Sequence, residues 1–218
     1  MNGILHTPSS IAPDLGNYRG WFDGYLAGLP DKDVRLLQTA LKLAQQHYPA
    51  EAKTDSGEPL LSNLMGAAQM VNDMDLLPDA VAATLLAAIS GYCPDWQQVV
   101  TEQCNATICE LVKGVDEVQK LTHFARVDSL ATSEERAQQA ETMRKMLLAM
   151  VTDIRVVLIK LAMRTRTMQF LSNIPDSPEK RAVAKETLDI FAPLANRLGV
   201  WQLKWQLEDL GFRHQEPE

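Results

Sequence analysis

Apolar residues recur at helical spacing along almost the whole of this 218-residue chain, and nowhere do they alternate with polar ones over the length of a strand. In 33–48, Leu36, Leu37, Ala40, Leu41 and Ala44 mark one face, and Pro49 stops the run. The segments 61–74 and 78–89 are apolar and Ala-rich. The second is apolar all round, which marks a buried helix, and Pro78 suits its first turn because that position needs no N–H. Pro94 and Asp95 open a short helix, and 105–121 gives another, bent near Gly114. Thr132 with Glu135 forms a capping box for a helix to about Val151. The one β-rich run, Val156 to Ile159, sits inside the helical period of 153–171. Ser177 followed by Pro178 caps a helix to about Leu198 that Gly199 closes, and 201–210 is a last amphipathic helix with Trp201, Leu203, Trp205, Leu207 and Leu210 as its apolar positions. The chain is predicted all-α, a bundle of about nine or ten helices.

Residues 1–30 show no period and read as an irregular lead-in; 31–198 read as the main domain and 199–218 as a C-terminal helix. A chain of this length buries about 70% of the surface its unfolded form exposes, so it needs no disulfides. Its three cysteines, Cys93, Cys104 and Cys109, are odd in number and lack a Cys-x-x-Cys pair, so they read as small buried residues in a reducing compartment. No apolar run approaches the roughly 20 residues of a membrane span, and no basic-then-apolar leader opens the chain. A cytoplasmic protein with no membrane contact is expected.

The net charge is −7, and the acidic excess lies in residues 1–140. That argues against nucleic-acid binding, which rests on Lys and Arg neutralising phosphates. The four histidines, His6, His47, His123 and His214, are scattered, and no Gly-x-Ser-x-Gly elbow or phosphate loop occurs. A basic cluster, Arg155, Lys160, Arg164 and Arg166, is either a solvated or partner-facing helix surface or an anion site. Residue chemistry alone reveals no active site.

Longer strings carry a resemblance. RKMLLAM, DIRVVLIKLA, APLANRLG and LKWQLEDL-x-F follow in order, with SGEP at 56–59 and LVKGVDEV at 111–118 before them. Over about residues 35–213 the chain resembles the N-terminal hydrolase-type domain of long RelA/SpoT proteins. The resemblance implies an HD-type helical fold in which a His, a His-Asp pair and a later Asp hold a manganese ion. Its bound water removes the 3′-diphosphate of (p)ppGpp. Carried across position by position, the first His falls on Asn63, the pair on Ala87 and Ala88, and the later Asp on Met163. Two acidic residues used beside the metal fall on Gly91 and Tyr92, and the His and Asn that follow the Asp fall on Arg166 and Thr167.

An amide, two methyls and a thioether are no ligand set for a hard divalent ion, so manganese is expected to be absent, no cofactor is expected, and the hydrolase is expected to be dead. Ala87, Ala88 and Met163 are expected to pack, turning a polar cleft into core. The pattern resembles the RelA-type, synthetase-only branch of bacterial stringent-response proteins. In that family a GTP pyrophosphokinase domain begins shortly after LEDL-x-F, so the chain reads as a fragment or stand-alone remnant.

The resemblance implies a structural and regulatory role towards that synthetase domain through the helices after residue 176, with Trp201, Trp205 and Leu210 as docking candidates. Ribosome contact would run only through the missing regulatory region. Exposed apolar area near the C-terminus suggests a homodimer. The alternative is a guanine-nucleotide sensor that binds without cleaving, through Lys53, Arg144, Arg164 or Arg166.

Overall fold

The computed structural model describes residues 15–125, 133–150 and 152–215. Thr132 of the capping box, Val151 and residues 1–14 of the lead-in lie outside them. Among the described residues the chain is all-α, with no strand beyond one isolated bridge between Lys53 and Pro59. No described helix is long and apolar enough to cross a membrane.

The helices are α1 (Leu15–Ala27), α2 (Asp31–His47), α3 (Leu60–Asp73), α4 (Pro78–Leu85), α5 (Trp96–Gln103) and α6 (Ala106–Ala125). They continue with α7 (Ser133–Met150), α8 (Ile154–Leu171), α9 (Pro178–Glu186), α10 (Ala192–Arg197) and α11 (Trp201–Gln215). A π turn, Thr187–Phe191, fuses α9 and α10 into one rod, so the count agrees with the sequence expectation.

The fold is centred on α3 and α4. α4 packs on α2, α3 and α6, and all six residues of Ala80–Leu85 are buried, as a helix apolar all round requires. It stops at Leu85, short of the expected Ile89, and a 3-10 turn follows at Ile89–Gly91. α3 lies along α8, and α8 in turn carries α6 and α11. Ser177 caps α9 as read, its Oγ accepting from Lys180 N at 3.1 Å, and Asp153 caps α8 by accepting from Arg155 N at 2.9 Å. Gly199, at φ +72°, closes the α10 end in the left-handed region that glycine enters without strain.

Two local expectations are corrected. Residues 15–27 of the lead-in are helical, not irregular. Tyr18, Phe22, Tyr25 and Leu26 are spaced for one face, with Phe22 in the core and the other three packed against it; exposed Gly20 and Gly24 dilute that signal in the sequence. α6 runs unbroken through Gly114. That glycine serves close packing, since a Cβ there would lie 2.7 Å from Val156 Cγ2 of α8.

Candidate functional site

Three pieces of backbone converge on one cleft of about 1000 Å³: the loop before α3, the turn after α4, and the middle of α8. The loop is held tightly. Thr54 N donates to the Glu58 carbonyl at 2.8 Å and Gly57 N to the Thr54 carbonyl at 2.9 Å, with Gly57 at φ +89°. This delivers Asn63, in the first turn of α3, to the cleft wall, with Glu58 fully buried behind it. The turn after α4 presents Ala87, Ala88, Gly91 and Tyr92, and α8 presents Met163; together with Asn63 these residues line the cleft. The six positions singled out in the sequence therefore do meet in space.

They do not fill the space. Ala87 joins the core and the half-buried Ala88 and Met163 pack against it, as expected, but the cleft they line stays open, which corrects the expectation that it turns into core. A methyl cannot fill the volume of an imidazole or a carboxylate.

Of the cationic candidates, Lys53 and Arg164 line the cleft, whereas Arg144 and Arg166 are absent from its lining. Arg164 is braced: its guanidinium lies 4.2 Å from the Phe191 ring centroid and Nη2 donates to Glu186 Oε2 at 3.0 Å. Lys160 and Lys180 also reach the lining, which includes the carboxylates of Asp116 and Glu179. Arg144 sits on α7, where Nη1 donates to the Asp189 carbonyl within the π turn and Nε donates to Glu141 at 3.1 Å. A π turn displaces backbone carbonyls from their regular partners, and Arg144 takes one of them.

Arg166 turns away from the cleft into a buried cluster. Glu58 is fully buried; its Oε2 accepts from Asn63 Nδ2 at 2.8 Å, and its Oε1 accepts from Arg166 Nε at 2.9 Å and from Nη2. The Tyr18 ring lies 5.4 Å from the guanidinium carbon. Burial raises the Tyr18 phenol above its ordinary value, while Arg166 pulls it down.

The sequence singled out Asn63 and Arg166 but not their shared carboxylate. SGEP marked Glu58 only as part of a string, and nothing in the spacing of residues 58 and 166 announces a contact. His214, one of the four scattered histidines, carries no signal in the sequence either. It is buried, with Nε2 3.2 Å from both the Met168 carbonyl and Ser172 Oγ.

The donor set does not fit a divalent metal. Asn63 offers a single neutral amide oxygen, Ala87 and Ala88 offer no lone pair, and Met163 offers a soft thioether. Among the described residues no three His, Cys, Asp or Glu side chains converge in a way that could hold an ion.

The sequence model of the HD domain matches residues 40–201, about three quarters of the chain. The chain belongs to the HD-domain family. This HD domain is of the kind found in RelA/SpoT family proteins. It is 36% identical over 185 residues to the bifunctional (p)ppGpp synthase/hydrolase SpoT of Escherichia coli K12, covering 84% of this chain and 25% of that protein. It is 40% identical over 163 residues to a guanosine-3′,5′-bis(diphosphate) 3′-pyrophosphohydrolase of Haemophilus influenzae, covering 74% and 22%. With a GTP pyrophosphokinase of Myxococcus xanthus the identity is 36% over 189 residues, covering 87% and 24%. The HD domain described here thus spans about a quarter of the length of the curated relatives it matches, and their names include both hydrolases and pyrophosphokinases.

Proposed function

We propose that this HD domain is a catalytically inactive (p)ppGpp hydrolase-like module of a RelA-type GTP pyrophosphokinase, with a structural and regulatory role towards the synthetase domain. The reading is carried by one observation: the four positions assigned to an ion by family resemblance, Asn63, Ala87, Ala88 and Met163, meet in a single cleft and supply no charged ligand. Without a divalent ion nothing lowers the pKa of a water towards 7, so a bound diphosphate meets no hydroxide. A cytoplasmic location, no direct nucleic-acid contact and ribosome contact only through other regions belong to the same proposal. Trp201 and Trp205, 58% and 65% exposed on the outer face of α11, support docking of the synthetase domain or a second copy there. Leu210 is half-buried and suits that role less. The test is manganese-dependent ppGpp hydrolysis by this chain beside a variant carrying Asn63→His, Ala87→His, Ala88→Asp and Met163→Asp. The unmodified chain is expected to release no pyrophosphate above background, and turnover by it overturns the proposal.

A second reading, a guanine-nucleotide sensor, is favoured by the open cleft with Lys53, Lys160, Arg164 and Lys180 in its lining. Calorimetric titration with ppGpp separates the two readings. Saturable binding that weakens in Lys53→Ala and Arg164→Ala favours the sensor, and absence of binding removes it.

A further inference from the structure

Glu58 is a carboxylate with no access to water, and such a group is stable only beside a counter-charge and with its oxygens hydrogen-bonded. Both conditions are met by residues from separate parts of the fold. Asn63 of α3 takes Oε2 at 2.8 Å, and Arg166 of α8 takes Oε1 through Nε at 2.9 Å and through Nη2. The arm of Arg166 reaches the carboxylate across α3 at Gly66, where a Cβ would lie 2.7 Å from Cδ and 2.9 Å from Nε. Tyr18 of α1 covers the guanidinium, its ring centroid 5.4 Å away. One cation therefore touches the loop before α3, α3 itself, α1 and α8. Asn63, which occupies a position where the resemblance expects a ligand, lines the cleft while its Nδ2 is held by the same carboxylate.

We infer that the cation holding this part of the fold together is the Arg166 guanidinium, buried beside the cleft on Glu58, which ties α8 to α3 and the Glu58 loop and makes the assembly independent of any metal ion. The inference rests on the inactive-site reading above, and it goes further by naming what holds the site together. A guanidinium suits the task because its planar fork stays charged and offers parallel N–H groups to a carboxylate. Being covalently part of the chain, it is not removed by chelation.

The experiment combines thermal unfolding with a double-mutant cycle. Unmodified protein is expected to have the same Tm in MnCl2 as in EDTA. Arg166→Met and Glu58→Gln are each expected to lower Tm by about 10 °C, since each leaves a buried partner uncompensated. The double variant is expected to lose clearly less than the two single losses together, as for residues in one network. Additive losses, or a Tm for Arg166→Met within about 2 °C of the parent, overturn the guanidinium link. If Arg166→Met does not fold, the Arg166 Nε–H in an NMR spectrum of the unmodified protein decides. A slowly exchanging signal supports the link, and exchange as fast as that of exposed arginines overturns it. Manganese that raises the Tm, or broadens amide signals at residues 63, 87, 88 and 163, defeats the inactive-site reading instead and is distinguishable from failure of the cycle.

Discussion

Replacing Gly66 by alanine sets two effects of opposite sign against each other. In an open helix interior the change stabilises by about 1 kcal/mol, because alanine loses less backbone entropy on ordering. In α3 the added Cβ lies 2.7 Å from Arg166 Cδ, 2.9 Å from Nε and 3.1 Å from the Tyr18 hydroxyl. Ordinary carbon–carbon contact is about 3.5–4.0 Å, so the arm must move by nearly 1 Å or α3 and α8 must part. Arg166 has little freedom to move, because its Nε is held 2.9 Å from Glu58 Oε1. Overpacking costs about 1–3 kcal/mol, and opening the buried pair about 3–5 kcal/mol. With the arm anchored it is the pair that opens, so packing wins over propensity and Gly66→Ala is expected to destabilise by about 2–4 kcal/mol net, or about 2–4 °C in Tm for each kcal/mol in a chain of this length. Urea unfolding followed by circular dichroism, with matched thermal melts, measures it. The same change in an Arg166→Ala background meets no arm and should be neutral or slightly stabilising. A Gly66→Ala protein at least as stable as the parent refutes the reasoning, for it means that the arm yields and is not anchored.

Gly114→Ala should likewise destabilise, by about 1–3 kcal/mol, because the Cβ lies 2.7 Å from Cγ2 of the buried, stiff Val156; denaturant midpoints for Gly114→Ala, Val156→Ala and the pair should be non-additive. Burial holds the His214 imidazole below its ordinary value, Lys180 and Arg213 adding to that and the Met168 carbonyl and Asp176 opposing it. The unfolded chain therefore takes up the proton first, so this contribution to stability is complete above about pH 6.5 and declines as the pH falls below it. Melting curves at pH 7.5 and 5.5 should show a smaller acid loss in His214→Gln than in the parent, and equal losses would exclude His214 as the cause. Ser177→Ala should cost about 1 kcal/mol by removing the acceptor for Lys180 N, with faster amide exchange confined to the first turn of α9.

Local chemistry made the elements legible. Ser177 followed by Pro178, and Gly199, mark helix ends by what a hydroxyl, a missing N–H and a missing Cβ do to their own backbone, and each acts there as read. α4 was readable as buried because it has no polar face. α1 was misread because its aromatic stripe is interrupted by two exposed glycines, and Gly114 because one residue type serves both bends and close approaches.

The order of residues along the chain fixed the helical class, the helix ends marked by Ser177, Pro178 and Gly199 and the neutral character of the six positions carried over from the family's site, because those depend on neighbours within a few residues or on identity alone. Only the packed molecule decided that the cleft stays open and that Lys53 and Arg164 line it while Arg144 caps a π turn. It also decided that Arg166 crosses Gly66 to Glu58, which lies 108 residues away in sequence. Long cationic side chains choose partners by spatial proximity and burial, and helix packing alone brings those partners within reach.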